Sequence, residues 1–177
     1  MKHFYKEIPG WFTYPKFYSD MVYKFDSNSK FVEIGAFKGT SSCYMAVEIA
    51  NSGKAISFDV IDTWDTYKEE PLYPIYLQNI QPVKHIINPI RTTSLEGSKL
   101  YEDSSLDFVF IDAAHDYESV KADIAAWYPK VKAGAVLGGH DYHASWPGVI
   151  QAVNEFISEN NYTLFKKNEL CWGIVKK

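Results

Sequence analysis

Acidic and histidine side chains recur at close spacing in the second half of the sequence. Asp112 is followed three residues later by His115, and His140 directly precedes Asp141. Histidine titrates near neutral pH, so His115 can act as a general base that takes a proton from a hydroxyl group. Asp112 and Asp141, with His140 beside them, also suit a divalent cation such as Mg²⁺. The alternative is that His140 and Asp141 only organise the glycine turn that they follow.

A second candidate site is the segment from Gly35 to Gly39, where glycines allow a ligand to approach the backbone closely. Phe37 occupies a position at which a dinucleotide fingerprint needs glycine, so an NAD-dependent oxidoreductase is a less favoured alternative. Glu33, just before the segment, would repel a pyrophosphate but would suit a cationic group. The other interpretation of the two glycines is a tight strand-to-helix turn.

Two further carboxylates follow at the distance expected for a ribose-binding acid, about 20 residues past the glycines. Asp59 and Asp62 are both within reach. Asp62 is preferred because it ends an apolar run and has Trp64 beside it as a stacking surface. For either residue the alternative is an exposed loop acid.

These residues follow short apolar runs that have the character of buried strands. The predicted strands cover residues 31–34, 55–61, 85–90, 106–111 and 135–137. Helices are predicted between them: one capped by Thr40 or Ser41, one over about 117–128 that Asp116 caps and Pro129 ends, and one from Pro147 to about 159.

Strand, loop and helix in alternation predict an α/β fold in a single domain over residues 1–177. We expect a Rossmann-like, doubly wound, mostly parallel sheet of about seven strands with helices on both faces. Residues 162–165 and 171–175 are predicted to form a C-terminal antiparallel hairpin. Ligands bind such sheets beyond the carboxyl ends of the strands, so the glycine and acidic loops should converge there.

The composition narrows the range of partners. The 177 residues carry a net charge of −4 without a basic cluster, which argues against nucleic acid or anionic membrane as a partner. There is neither a signal-peptide pattern nor an apolar run of about 18 residues, so we expect no membrane span and a cytoplasmic location. Cys43 and Cys171 fit no metal or disulfide pattern and are expected to be small buried hydrophobic residues.

Residues 1–29 form an aromatic-rich segment that we expect to be helical. Packing on the sheet is the favoured interpretation. The alternative is that this segment, with residues 64–76, covers a small-molecule acceptor such as a sugar or phenol. A pocket completed by a second subunit of a homodimer also stays open.

Four stretches taken together resemble class I S-adenosylmethionine-dependent methyltransferases. The likeness is to methyltransferase family 24, the small group that includes macrolide-sugar O-methyltransferases and cephalosporin-biosynthesis enzymes. The stretches cover residues 31–42, 61–64, 106–142 and 147–156 in order. The third stretch is the most specific because it joins a strand end, a histidine, a helix and a second acidic strand end.

The resemblance implies O-methylation of a small-molecule hydroxyl group with S-adenosylmethionine as cofactor. It implies that Glu33, Gly35 and Gly39 line the methionine part, that Asp62 holds the ribose and that Ser94 lies beside the adenine. The further cofactor contacts it implies are Ala36, Phe37, Thr40, Ser41, Thr63, Trp64, Asp112 and Ala113.

For the reaction itself, the resemblance implies that His115 is the base and that Asp112 and Asp141 are ligands in the metal-dependent members. His140 stands where those members place an acidic or amide ligand, which leaves the need for a divalent cation open. A cofactor-binding module without catalysis is the competing interpretation.

Overall fold

The computed structural model describes residues 1–65, 70–165 and 170–177. In these residues one sheet has the strand order β3-β2-β1-β4-β5-β6. Strands β1 to β5 are parallel and β6 runs antiparallel to β5. The strands are β1 (Lys30–Ile34), β2 (Ser57–Asp62), β3 (Ile87–Arg91), β4 (Leu106–Ile111), β5 (Val131–Gly139) and β6 (Trp172–Val175).

Helices cover both faces of this sheet, as predicted. Helices α1 to α3 pack on one face and α4 to α6 on the other. They are α1 (Pro15–Lys24), α2 (Thr40–Ser52), α3 (Leu72–Asn79), α4 (Ser94–Ser98), α5 (Tyr117–Trp127) and α6 (Pro147–Glu159), with 3₁₀ turns at Tyr5–Glu7, Gln81–Val83 and Tyr128–Lys130. In the described part of the chain, no helix combines the length and apolar character that crossing a membrane requires.

The two-sided cover explains the continuous apolar runs of the central strands. In β4, Phe108 and Phe110 contact the side of α1 and α2, whereas Val109 and Ile111 contact the side of α5 and α6. A strand buried on both faces needs apolar residues at successive positions, so its sequence does not alternate. The bounds predicted for β4 are therefore correct.

The C-terminal antiparallel edge is confirmed, but the predicted strand count is too high. Six strands are present in the described residues, and 162–165 is not one of them. The Phe165 amide of that segment donates to the Gly173 carbonyl oxygen of β6 at 3.0 Å without adding a strand to the sheet. Residues 166–169 of the predicted hairpin lie outside the described residues.

The helix ends show which capping predictions hold. Asp116 caps α5 by accepting a hydrogen bond from the Ser119 amide at 3.0 Å, and Pro129 follows the end of that helix as predicted. The cap predicted for α2 is wrong: Thr40 and Ser41 lie inside its first turn. The N-cap position is Gly39, whose φ of 91° is in the left-handed region that favours glycine.

The aromatic N-terminal segment mostly packs on the sheet. Tyr14, Phe17 and Tyr18 are completely buried against the face that carries α2. Helical structure in this segment is limited to Tyr5–Glu7 and α1, so the predicted helix over 1–29 is shorter than expected. Trp11 departs from the pattern, because 77% of its surface is exposed. Both cysteines are buried thiols, as expected.

The order of strands reverses between β1 and β4, which lie side by side at the centre of the sheet. From β1 the chain continues to β2 on one side, and from β4 it continues to β5 on the other. The connections that leave β1 and β4 therefore lead to opposite sides of the sheet, and a crevice forms beyond the carboxyl ends of these strands. Gly35 and Asp112 begin these two loops.

Candidate functional site

A cavity of about 850 Å³ occupies this crevice. It lies beyond the carboxyl ends of the strands, as predicted for a doubly wound sheet. The residues singled out in the sequence that line it are Gly35, Ala36, Phe37, Thr40, Ser41, Asp62, Thr63, Ser94, Asp112, Ala113, His115, His140 and Asp141.

Glycine at position 35 is required by close packing between the two central loops. Its φ is 85°, and an added Cβ would lie 2.0 Å from the carbonyl oxygen of Asp112. No side chain fits at that distance. The close approach brings the loop after β1 against the loop after β4 and fixes the floor of the cavity.

Three residues expected at the cofactor lie behind the cavity wall instead. Gly39 faces Tyr76, which would be 3.1 Å from an added Cβ. Trp64 is 2% exposed and presents no open stacking surface. Its indole N–H donates to the Phe37 carbonyl oxygen at 3.0 Å, so Trp64 holds the glycine loop from behind.

Glu33 is the third of these residues and is completely buried. Its carboxylate accepts hydrogen bonds from the Tyr18 hydroxyl at 2.7 Å and from the Ser42 hydroxyl. Burial raises the pKa of Glu33 to about 7, and hydrogen bonds from Ser41, Ser42 and Tyr18 oppose that rise. Glu33 therefore joins β1 to α1 and α2 and does not line the cavity.

Of the two candidate ribose acids, Asp62 faces the cavity. Its Oδ2 accepts hydrogen bonds from the Ala36 amide at 2.8 Å and the Phe37 amide at 3.0 Å. The Asp59 carboxylate is bonded elsewhere, to Asn88 at 2.9 Å and to the Tyr101 hydroxyl at 2.8 Å, and it does not line this cavity. Asp62 thus shapes the glycine loop and remains accessible to a ligand.

On the other side of the cavity, His115 and Asp141 form a close pair. His115 Nε2 lies 2.7 Å from Asp141 Oδ2. This hydrogen bond raises the pKa of His115, although partial burial opposes the rise. Burial raises the pKa of Asp141, but the bonds from His115 and His140 outweigh it and hold that pKa well below its usual range. Trp146 stacks on the His115 ring, with centroids 4.2 Å apart.

His140 pairs with both acidic residues. Its Nδ1 lies 3.3 Å from Asp141 Oδ1 and 3.6 Å from Asp112 Oδ1. Burial lowers the pKa of His140, but the bonds to Asp112 and Asp141 outweigh that effect and raise the pKa to about 9. His140 is therefore protonated at neutral pH and already compensates part of their negative charge.

Potential metal-ligand atoms also converge here. In the described part of the chain, donor atoms of Asp112, His115 and Asp141 all lie within 4.8 Å of one another. His140 is outside this set, which revises the predicted set of ligands.

The N-terminal segment supplies contacts that the sequence did not reveal. The Tyr14 hydroxyl donates to Asp112 Oδ2 at 2.6 Å, and Thr13 Oγ1 lies 3.0 Å from His140 Nε2. Burial and then the charge of Asp112 raise the pKa of Tyr14 well above its usual value, so Tyr14 keeps its proton and donates. In the sequence, the only signal was the high aromatic content of this segment, and that content does not predict a contact with Asp112.

The central part of the chain matches a known family. Residues 32–142 match the family described as a methyltransferase domain, family 24. An uncharacterised protein of Sinorhizobium fredii, y4gI, is 29% identical over 145 aligned residues, and the match covers 78% of this chain. The chain spans only 16% of the length of that relative.

Solved structures share the fold. A Staphylococcus aureus protein described as a caffeoyl-CoA O-methyltransferase superposes with a TM-score of 0.70 at 18% identity, covering 96% of this chain and 87% of its own. A Bacillus cereus O-methyltransferase in complex with SAH gives 0.66 at 16% identity, covering 97% and 86%. At these identities the likeness concerns the arrangement of strands and helices.

Proposed function

The chain belongs to the methyltransferase-domain family that its residues 32–142 match, and from this membership we propose that it transfers a methyl group from S-adenosylmethionine to a hydroxyl group of a small molecule. One observation carries the proposal: a single cavity has the glycine loop and Asp62 on one side and the His115–Asp141 pair on the other. Its volume is within the range of small-molecule sites, about 300–1,000 Å³.

The cofactor half of the cavity fits a nucleoside. Oδ2 of Asp62 accepts from the Ala36 and Phe37 amides and Oδ1 accepts from the Trp64 amide at 2.7 Å. Of the roughly four lone-pair sites of a carboxylate, about one is left to accept a ribose hydroxyl. Gly35 and Ala36 expose backbone to the ligand without side-chain obstruction. S-adenosylmethionine supplies an electrophilic methyl group on a sulfonium, so the protein mainly aligns and deprotonates the acceptor.

The acceptor half provides the base. Because Asp141 accepts the Nε2 proton of His115, the neutral ring has its free lone pair on Nδ1. We assign to Nδ1 the removal of the acceptor's hydroxyl proton, and to Asp141 the orientation of the ring and the stabilisation of the imidazolium that results. Trp146, stacked on the ring, restricts its rotation.

The role of a divalent cation is a separate proposal. Two carboxylates and an imidazole are a suitable donor set, and Asp112, His115 and Asp141 would hold the ion. Such an ion would lower the pKa of a bound hydroxyl group. As a ligand, His115 would lose its role as a base, so the two assignments exclude one another. If a cation is required, EDTA should abolish methyl transfer and Mg²⁺ should restore it. Methyl transfer that EDTA leaves unchanged would contradict the proposed role of a metal ion.

Binding and transfer are tested separately. We expect calorimetric titration to show binding of S-adenosylhomocysteine, and absence of binding at high micromolar concentration would contradict the proposal. Transfer is measured with methyl-labelled cofactor across a panel of phenols, sugars and aliphatic alcohols. His115→Gln should retain S-adenosylhomocysteine binding and lower transfer by about 100-fold or more. His85→Gln, which lies outside this cavity, is the matched control.

A further inference from the structure

Gly148, in the first turn of α6, packs directly against the loop that carries His115. A Cβ added at this position would lie 2.5 Å from the Tyr117 amide nitrogen and 2.7 Å from the His115 carbonyl oxygen. It would also lie 2.9 Å from the carbonyl carbon of Asp116. All three atoms belong to the backbone, so rotating a side chain cannot relieve the clash. The helix and the loop therefore touch at a distance that only glycine permits.

The two helices on either side of this contact are held together in the interior and at the surface. Val120 of α5 and Val149 of α6 are buried in the same core. At the surface, the Tyr117 hydroxyl donates to the carboxylate of Glu155, and Lys121 Nζ lies 2.5 Å from Glu155 Oε1. A clash at the start of α6 would therefore be relieved mainly in the loop between β4 and α5.

The same turn of α6 also places an aromatic ring on His115. Trp146 is the N-cap residue of α6, and its carbonyl oxygen accepts from the Val149 amide at 3.1 Å. The Trp146 and His115 rings are stacked, with centroids 4.2 Å apart and an interplanar angle of 24°. His115 is thus contacted from α6 twice, at its backbone by Gly148 and at its ring by Trp146.

We infer that the first turn of α6 is the support that holds His115 at the reacting position, and that Gly148 is a positioning residue of the site. The inference rests on the proposed role of His115 as the base of methyl transfer. Gly148 does not line the cavity, so it acts only through His115. A base must lie within about 2.6–3.2 Å of the atom whose proton it takes. Misplacement by about 1 Å can lower a rate about 100-fold.

Gly148→Ala tests the support through the kinetics of transfer. The added methyl group should displace the loop and its histidine, so kcat should fall about 100-fold. The glycine loop and Asp62 lie on the other side of the cavity. The dissociation constant of S-adenosylhomocysteine and the KM for an acceptor found in the panel should therefore stay within about three-fold.

The position of the His115 ring is measured by NMR in the free protein. A stacked indole shifts the His115 ring-proton signals upfield. Trp146→Leu removes that indole and gives the signals of His115 without its stack. Gly148→Ala keeps the indole, yet it should move the His115 signals toward those of Trp146→Leu because the loop is displaced. This measurement needs neither cofactor nor acceptor, and a general loss of stability would not produce the change.

Gly134→Ala in β5 is the matched control. Its φ is 78°, and an added Cβ meets nothing within 4 Å, so it strains the backbone without touching the loop. It should leave kcat and the His115 signals unchanged. If Gly148→Ala keeps either the kcat or the His115 signals of the unmodified protein, the inference is overturned. If the unmodified protein methylates no acceptor, the proposed function is wrong, and the NMR comparison then decides whether α6 holds His115.

A second pair of variants keeps the test decisive if Gly148→Ala fails to fold by circular dichroism. Trp146→Leu removes the ring that α6 places on His115, whereas Trp146→Phe keeps an aromatic ring there. At saturating acceptor, we expect kcat to fall about ten-fold in Trp146→Leu and to be restored to within about three-fold in Trp146→Phe. An equal kcat in the two variants would overturn the inference.

Discussion

Two carboxylates at the centre of this protein accept hydrogen bonds from hydroxyl groups. Glu33 receives hydrogen bonds from Tyr18 and Ser42, and Asp112 receives one from Tyr14. Each carboxylate thus has a hydroxyl donor from the N-terminal segment. The two differ in access: Asp112 lines the cavity, whereas Glu33 is sealed beneath it. The ionisation of Glu33 should therefore affect the free energy of unfolding, which can be measured without a ligand.

Glu33→Gln should change how the free energy of unfolding depends on pH. Burial raises the pKa of Glu33 to about 7 from 4.5, so between these values the folded protein binds more protons than the unfolded chain. The contribution of Glu33 to the free energy of unfolding is then greatest below pH 4.5 and is lost as the pH rises through 7. The fall is about 3 kcal/mol for the full shift. In urea unfolding at pH 5 and pH 8, which span most of this shift, the variant should lose about 2 kcal/mol less stability between the two pH values than the unmodified protein.

The comparison needs an acid-to-amide change that leaves the interior intact. Glu118→Gln is exposed on α5 and should keep the pH dependence of the unmodified protein. An identical pH dependence in Glu33→Gln and the unmodified protein would show that Glu33 is not the titrating group.

At the scale of elements, the loops after β1 and β4 control the cavity because they touch through backbone. Gly35 approaches the Asp112 carbonyl, and Asp62 at the end of β2 accepts from the next two amides. Three neighbouring strands therefore fix one loop. Such a contact has no tolerance for an added atom, whereas Gly53, at the end of α2, has open space around it.

Gly35→Ala tests this contact against Gly53→Ala. Both glycines have positive φ, 85° and 68°, but an added Cβ at Gly53 meets nothing within 4 Å. We expect Gly53→Ala to cost only the left-handed backbone penalty, about 1–2 kcal/mol, and to keep S-adenosylhomocysteine binding. Gly35→Ala should cost more in urea unfolding and abolish binding in calorimetry. Equal effects of the two substitutions would contradict the assigned loop contact.

The N-terminal segment is the second element that reaches the site, and Tyr14→Phe measures its contribution. The substitution removes the hydrogen bond to Asp112 and keeps the packing of the ring. We expect transfer to fall about ten-fold, since Asp112 loses a charge-assisted hydrogen bond, with S-adenosylhomocysteine binding unchanged. Tyr44→Phe removes a hydroxyl bonded to Ser19 outside the cavity and should leave transfer unaffected. A similar loss in both variants would assign Tyr14 a general packing role.

For the whole molecule, the sequence predicted the sheet better than the site. Strands buried on both faces leave continuous apolar runs, and β4 was bounded correctly for that reason. The convergence of Asp112, His115 and Asp141 followed from the rule that parallel strands end at one edge. The contact between Tyr14 and Asp112 joins residues 98 positions apart, and no periodicity records such a pairing. The burial of Trp64 was missed because a tryptophan beside an acid has the same pattern whether it faces a ligand or a core.

Distant parts of the chain form the mouth of the cavity. A substitution of Trp11 tests whether this mouth binds the acceptor. Trp11 and Trp146 both line the cavity and remain 77% and 41% exposed. Exposed indoles at a cavity mouth offer flat apolar surface to a ring-shaped acceptor. Trp11→Ala should therefore raise the KM for an acceptor found in the panel by about ten-fold, without changing S-adenosylhomocysteine binding or stability. Tyr23 is equally exposed but lies outside the cavity, so Tyr23→Ala should leave the KM unchanged. An unchanged KM in Trp11→Ala would place the acceptor deeper, against His115.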